Sequence, residues 1–170
     1  MNDNFDKTRE SERDSTAQKG IAQQLLTFTV EKEEYGVDIM TVREIKGWTE
    51  TTRLPTAPDF MRGVMNLRGL IIPIFDLRTR FNRGLTEATP KHVVIILAIS
   101  NRNIGILVDT VSDILDVNSD QIKPAPTVDT QVDEAFISGL ISLENRMVVI
   151  LNITQLFDHK HIETTTSQVA

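Results

Sequence analysis

Apolar and polar residues alternate along much of this chain with the two-residue period of a half-buried β-strand. Leu26, Phe28 and Val30 alternate with threonines, which predicts one apolar and one polar strand face. Other segments are continuous apolar runs rich in Val and Ile, typical of strands buried on both faces. These runs are residues 71–75, 93–99, 104–108 and 147–151. The pattern predicts an all-β fold.

Helical signals are short. Asp76 precedes an apolar segment at residues 77–81, and Asn152 precedes another at residues 153–157. Each polar residue is a good N-cap, and each segment is long enough for little more than one helical turn. Pro73 lacks an amide hydrogen and therefore predicts an edge strand or a bulge.

The second half of the chain repeats the first. Residues 60–67 (Phe-Met-Arg-Gly-Val-Met-Asn-Leu) match residues 136–143 (Phe-Ile-Ser-Gly-Leu-Ile-Ser-Leu), 76 positions later. At the same offset Asp76 meets Asn152 and Phe81 meets Phe157. Two blocks in one order, with paired glycines and caps, indicate a duplication.

Upstream the offset is 69. It pairs Gly36 with Gly105 and Ile45 with Ile114. The seven-residue difference falls in the polar stretch 127–134, where a loop insertion is tolerated. Units of this size with about five short strands suit small barrels, and such small units are expected to share apolar surface. The predicted barrels span roughly residues 24–86 and 91–158, with strand exchange between them left open.

The two ends of the sequence are predicted to be flexible. Residues 1–20 are polar, of mixed charge and nearly without apolar side chains, so they cannot offset the entropy of ordering. Residues 160–170 are interpreted in the same way. Residues 21–159 are expected to form the folded part.

Composition excludes several classes of function. The net charge of −6 is unfavourable for a nucleic-acid surface or an anionic membrane surface. The chain has no cysteine, which excludes a disulfide scaffold and fits a reducing cytoplasm. The longest apolar run, residues 93–99, is too short to cross a bilayer, and the N-terminus lacks the features of a secretory signal.

No motif for catalysis or cofactor binding stands out. The eight glycines form no phosphate-binding loop, and no serine lies in a nucleophile elbow. Histidines occur only at His92, His159 and His161, and the last two are better explained by a solvated tail than by a metal site. We therefore expect no enzyme activity, no metal and no cofactor. A small hydrolase using the acidic residues between Asp109 and Asp116 is kept as an alternative.

Two residues are candidates for binding. Trp48, the only tryptophan, either caps one end of a barrel or anchors an interface, since tryptophan is enriched among binding hot spots. Arg68 lies at the tip of a predicted hairpin, where a solvated turn residue is the ordinary interpretation. Gly69 beside it and Asn145 in the second copy tolerate the positive φ of a tight turn.

Several ordered blocks resemble the CheW-like domain family of chemotaxis coupling proteins. The most specific is Arg-Gly-Val-Met-Asn-Leu-Arg-Gly at residues 62–69. The others are Glu-Tyr-Gly-Val-Asp-Ile at 34–39, Val-Arg-Glu-Ile at 42–45, residues 105–114 and Gln-Ile-Lys-Pro-Ala-Pro at 121–126. The resemblance runs in order from about residue 24 to residue 157.

The resemblance implies two packed five-stranded SH3-like barrels in a non-enzymatic cytoplasmic adaptor. Such an adaptor joins the cytoplasmic tips of chemoreceptors to the regulatory domain of the histidine kinase CheA in membrane-associated arrays, where further copies of the chain can assemble. A chemosensory array with an output other than swimming is the alternative. Residues implied to face the receptor are Val42, Glu44, Arg62, Gly63 and Arg68, with Arg68 paired to Glu44. Residues implied to face the kinase are Trp48, Lys123 and Val128.

Overall fold

A computed structural model describes residues 23–125 and 134–157, and in these ranges the regular secondary structure is mostly β-strand. The predicted flexible ends, residues 1–20 and 160–170, lie outside the described residues, and so does Val128. The strands are β1 (Gln23–Val30), β2 (Glu33–Asp38), β3 (Val42–Gly47), β4 (Met61–Leu67), β5 (Leu70–Asp76), β6 (Val93–Ile99), β7 (Arg102–Val108), β8 (Thr110–Val117), β9 (Ile122–Lys123), β10 (Ile137–Leu143) and β11 (Arg146–Leu151).

Two one-turn helices follow the predicted caps, α1 (Leu77–Arg80) after Asp76 and α2 (Ile153–Leu156) after Asn152. Three 3₁₀ turns lie at Ile39–Thr41, Ser119–Gln121 and Glu134–Phe136. The predictions of an all-β fold and of two short capped helices are confirmed.

The strands form two barrel-like sheets that exchange strands between the halves of the chain. One sheet has the order β8-β1-β2-β11-β10-β9, and the other has the order β3-β6-β7-β5-β4. Residues 24–86 and 91–158 therefore do not each form one sheet, because β1 and β2 pair with strands of the second half while β6 and β7 pair with strands of the first.

The repeat explains this arrangement. At the offsets 69 and 76, the strands β1 to β5 correspond to β6, β7, β8, β10 and β11 in turn. Equivalent strands then follow each other in the same order in both sheets. β9 is an additional two-residue strand on the larger sheet. Each sheet contains one parallel pair, β2 with β11 and β5 with β7, at equivalent positions. The structure thus confirms the duplication inferred from the sequence.

Continuous apolar runs arise because each central strand contacts two cores. In β6, Val94 and Ile96 point into the small core of the five-stranded sheet, together with Met65 and Ile72. Ile95, between them, belongs to the large core, which contains residues of both sheets. Both faces of β6 are therefore apolar, as its sequence predicted. The shared core also confirms that the two units bury apolar surface against each other.

Two apolar runs are not buried at their starts. Ile71 is 65% exposed and Met147 is 56% exposed, although both were predicted to lie inside. Each follows the turn of its hairpin, β4–β5 or β10–β11, where the strands extend beyond the packed barrel. Arg68 and Gly69 have φ values of 51° and 88°, as a tight turn requires, whereas the corresponding turn at residues 144–145 has no positive φ.

The two helix caps differ in how fully they are bonded. The backbone N–H groups of Asp76 and Asn152 donate to the carbonyls of Phe60 and Phe136, each at 2.7 Å. The fully buried Asp76 carboxylate accepts from the amides of α1 and from both the amide and hydroxyl of Thr86, at 2.9 and 2.7 Å. The Asn152 amide oxygen accepts from Gln155 at 3.2 Å.

We predict that Asp76→Ala lowers the free energy of unfolding by about 3 kcal/mol, because it leaves the buried donors of Thr86 and α1 without their acceptor. Asn152→Ala, the matched change, should lower it by about 1 kcal/mol, the ordinary effect of a lost N-cap. Chemical denaturation of both variants measures the difference. Equal losses would show that the contacts with Thr86 contribute nothing.

Candidate partner-binding surface

An exposed ion pair joins two separate segments of the five-stranded sheet. Arg68, at the tip of the β4–β5 hairpin, binds the Glu44 carboxylate on β3. The contact links this hairpin tip to β3, an edge strand of the sheet. A bridge between Thr52 and Val64 covers the free edge of β4. The Arg68 side chain remains 74% exposed, so it is available to a partner.

The hairpin turn holds Arg68 in place. Asn66 accepts a hydrogen bond from the Gly69 amide at 2.9 Å, and positive φ angles at both turn residues direct the chain back into β5. An exposed ion pair adds only about 0 to 1 kcal/mol to stability. The pair therefore fixes the shape and charge of this surface without being needed for the fold.

Gly63 belongs to the framework beneath this surface. It lies at a bulge in β4, has a φ of 143° and is buried. A Cβ atom at this position would lie 2.4 Å from the carbonyl oxygen of Thr52. The residue brings the segment containing Thr52 against β4 and has no side chain to offer a partner.

Val42 and Glu44 flank a second bulge, at the start of β3. Val42 is half-buried against the shared core, whereas Glu44 reaches Arg68. These two residues, Gly63 and Arg68 are thus all placed on β3 or on the β4–β5 hairpin.

Arg62 is grouped with Trp48 rather than with Arg68. Its guanidinium lies 5.3 Å from the centre of the Trp48 ring system and donates to the Thr86 carbonyl at 2.9 Å. It also lies 3.8 Å from the buried Asp76 carboxylate. Arg62 is therefore positioned to hold the indole in place, a role that its place in the sequence motif did not reveal.

Trp48 packs on the small core of the five-stranded sheet. It is half-buried against the small core that contains Met65, and its amide donates to the carbonyl of His92 at 2.9 Å. Its packing fits the barrel-cap interpretation, and its partly exposed ring is still free to contact a partner. Lys123 is exposed on β9 of the six-stranded sheet, whereas Trp48 directly follows β3 of the five-stranded sheet.

An apolar groove that begins at Leu70, two residues after Arg68, was missed by sequence reasoning. Leu70 is 58% exposed, and with Ile71 and Pro73 it lines a cavity of about 360 Å³ whose other wall includes Ile104 of β7. The groove exists because pairing between β5 and β7 begins only at Ile74. Pro73 was expected at an edge or a bulge, but β5 lies inside the sheet and Pro73 marks the end of its pairing with β7. A strongly apolar residue directly after a hairpin tip was the available signal.

Comparison with known proteins agrees with this architecture. A family model described as "CheW-like domain" matches residues 24–161. The chain belongs to the CheW-like domain family. The chemotaxis protein CheW of Klebsiella aerogenes is 40% identical over 142 residues, which cover 84% of this chain and 86% of the relative. The chemotaxis protein CheW of Bacillus subtilis is 30% identical over 143 residues, covering 84% and 92%.

A solved structure shares the fold. The crystal structure of the scaffolding protein TtCheW from Thermoanaerobacter tengcongensis superposes with a TM-score of 0.73 at 33% identity. The match covers 80% of this chain and 88% of that one. The two barrel-like sheets are therefore those of the CheW-like family.

The acidic residues considered for a hydrolase have separate hydrogen-bond partners in this CheW-like chain. Asp109 accepts from the Glu31 amide at 2.8 Å, Asp116 accepts from Gln24, and Asp113 accepts from the amide of the next residue. Among the described residues no group of three His, Cys, Asp or Glu side chains could hold a metal ion. Within the same ranges no helix is long and apolar enough to cross a membrane.

We predict that Gly63→Ala lowers the free energy of unfolding by more than about 2 kcal/mol, because the new methyl group meets the Thr52 carbonyl and φ is positive. Gly69→Ala also has a positive φ but nothing within 4 Å of its Cβ, so a loss of about 1 kcal/mol is expected. Thermal or chemical unfolding measures both. A Gly63→Ala protein as stable as the Gly69→Ala protein would contradict the framework role.

Proposed function

We propose that this chain is a non-enzymatic adaptor that couples chemoreceptors to the histidine kinase CheA and allows the receptors to control kinase activity. Membership of the CheW-like family supports this function, as does the description of the Thermoanaerobacter relative as a scaffolding protein. The single observation that carries the proposal is the exposed Glu44–Arg68 pair at the tip of the hairpin whose strand β5 lines an apolar groove.

The ion pair and the groove together suit a protein partner. Arg68 offers a guanidinium whose position is set by Glu44, and Leu70 and Ile71 offer contiguous apolar area. Oriented charge gives specificity and steers association, while apolar area supplies affinity. We assign this surface to the tip of the receptor's cytoplasmic region.

Only the first copy of the repeat carries this surface. The counterpart of Arg68 is Glu144, and the counterpart of Glu44 is Asp113. Two acidic residues cannot form an ion pair, and the Asp113 carboxylate instead accepts from the Ile114 amide at 2.8 Å. A residue needed for the barrel alone would not reverse its charge between copies, so the difference supports a binding role for Arg68.

The kinase is proposed to bind elsewhere. Trp48, beside the five-stranded sheet, and Lys123, on the other sheet, are assigned to the kinase, together with Val128. An adaptor must hold both partners at once, which separate surfaces permit. In this proposal the chain acts in the cytoplasm, is recruited to receptor arrays, and meets other copies of itself there.

Reconstitution tests the whole proposal. Receptor signalling fragments clustered on vesicles, CheA and this chain are mixed, and kinase activity is followed with and without receptor ligand. Kinase recruitment and ligand control should both require the chain. Equal kinase control in its absence would overturn the adaptor function.

We predict that Arg68→Glu abolishes receptor binding while the melting transition stays normal. The change replaces the exposed cation of this surface by a second acidic group next to Glu44, and an exposed ion pair adds little to stability. Pull-down with receptor fragments measures binding. Glu144→Arg, the matched change in the second copy, should leave binding nearly unchanged. Combining Glu44→Arg with Arg68→Glu should restore part of it. Normal receptor binding by Arg68→Glu alone would refute the site.

We predict that Trp48→Ala weakens kinase binding by about 2 kcal/mol, the loss expected for an aromatic anchor. Receptor binding should hardly change, because Trp48 does not contribute to the Glu44–Arg68 surface. Calorimetric titration with the CheA regulatory domain measures the affinity, and thermal melting reports the fold. If cooperative unfolding is lost, or if both partners bind equally less well, Trp48 is only a barrel cap.

A further inference from the structure

His92 has no place in the receptor or kinase assignments, although its side chain is only 19% exposed and contacts two distant parts of the chain. It directly precedes β6 and ends a turn that begins at Thr89. In this turn the His92 amide donates to the Thr89 carbonyl at 2.9 Å. The imidazole is therefore attached to a short, hydrogen-bonded piece of backbone.

The turn determines which ring nitrogen of His92 carries the proton. The backbone amide of Thr89 lies 3.0 Å from Nδ1, and the Thr89 hydroxyl oxygen lies at the same distance. Because a backbone amide can only donate, Nδ1 accepts, and the neutral ring carries its proton on Nε2. Nε2 in turn lies 3.4 Å from Oδ1 of Asp109. The ring thus presents its N–H to a carboxylate.

Asp109 connects this contact to the six-stranded sheet. It lies between β7 and β8, where the chain passes from one sheet to the other. Its Oδ2 atom accepts from the amide of Glu31 in the β1–β2 turn at 2.8 Å, and its own amide donates to the Thr29 carbonyl at 2.9 Å. One carboxylate therefore joins His92 to a turn of the other sheet.

The main chain of His92 holds Trp48. The Trp48 amide donates to the His92 carbonyl at 2.9 Å, which continues the pairing of β3 with β6 one residue beyond Gly47 and Val93. The turn lies close to this end of β3, since a Cβ atom on Gly47 would be 4.0 Å from the carbonyl oxygen of Pro90. Any shift of the turn would therefore move the backbone that carries the indole.

The segment between α1 and β6 also reaches the indole from a second direction. Arg62, whose guanidinium lies 5.3 Å from the centre of the ring system, donates to the Thr86 carbonyl at 2.9 Å. Thr86 is itself fixed by the buried Asp76 carboxylate. One end of the segment is thus anchored by Asp76, and the other end has the contact between His92 and Asp109.

We propose that His92 is a positioning residue for Trp48. Its Nε2–H ties the Thr89–His92 turn to Asp109, and the turn in turn fixes the end of β3 from which the indole projects. The effect of His92 on the indole follows from these contacts alone. Its effect on kinase affinity rests on the proposed function, in which Trp48 binds the kinase.

Fluorescence quenching tests the positioning, because Trp48 is the only tryptophan and reports on itself. His92→Ala should raise the rate constant for acrylamide quenching about twofold, since the turn is released. His92→Gln, whose side-chain amide can donate to Asp109 in place of Nε2, should restore most of the original value. Asn152→Ala, which removes the cap of α2 instead, should leave quenching unchanged and so controls for a general loss of stability.

Calorimetric titration with the CheA regulatory domain tests the consequence for binding. His92→Ala should weaken kinase binding about fivefold, less than the loss of the anchor itself, and leave receptor binding unchanged. If His92→Ala fails to fold, Asp109→Asn should raise quenching in the same direction, because it keeps an acceptor for the Glu31 amide and places a donor opposite Nε2.

Quenching that is the same in His92→Ala as in the unaltered protein would overturn the positioning role, even if Trp48→Ala weakens kinase binding. Equal quenching in His92→Gln and His92→Ala would refute the contact with Asp109, as would nitrogen-15 spectra that show the proton of the neutral His92 ring on Nδ1. Raised quenching in His92→Ala, with kinase affinity unchanged in Trp48→Ala, would support the positioning role and refute the kinase site instead.

Discussion

Two parallel strand pairs connect the halves of this protein, β5 with β7 and β2 with β11. Each pair joins a strand of one copy of the repeat to a strand of the other, so neither half of the sequence contains all the strands of a sheet. Each pair has a glycine where its two strands approach closely. At Gly105 a Cβ atom would lie 2.4 Å from a methyl group of Ile74, and at Gly36 it would lie 3.3 Å from Val148. The paired glycines detected in the sequence therefore lie at close contacts between the two copies.

The exchange places the largest core between the sheets. Phe75 of the five-stranded sheet stacks on Phe157 at 4.7 Å, and the Arg80 guanidinium lies between two equivalent rings, 5.0 Å from Phe60 and 4.4 Å from Phe136. Arg80 also donates to the carbonyl of Leu156, its own counterpart in the repeat. The repeat has an arginine at position 80 and a leucine at the equivalent position 156, so a single arginine contacts the equivalent rings of both copies. This packing fixes the sheets relative to each other.

Duplication supplied one framework, and the exposed side chains then diverged. Core positions stay apolar in both copies, and the caps, bulges and parallel pairs recur. The exposed turn residues differ, since Arg68 in one hairpin becomes Glu144 in the other. In the proposed function, binding therefore depends on a few side chains placed on a shared fold, and comparison of the two copies separates these side chains from the framework.

The sequence alone determined the strands, the helix caps, the duplication and the Glu44–Arg68 pair, because period, capping chemistry and family motifs are local signals. It did not determine the strand exchange, since an apolar strand pairs equally well with either copy of an equivalent neighbour, and only the whole chain decides between them. Nor did it show that Ile71 is exposed or that Arg62 covers Trp48. Both depend on where a strand ends relative to packing from distant segments, which a local pattern does not contain.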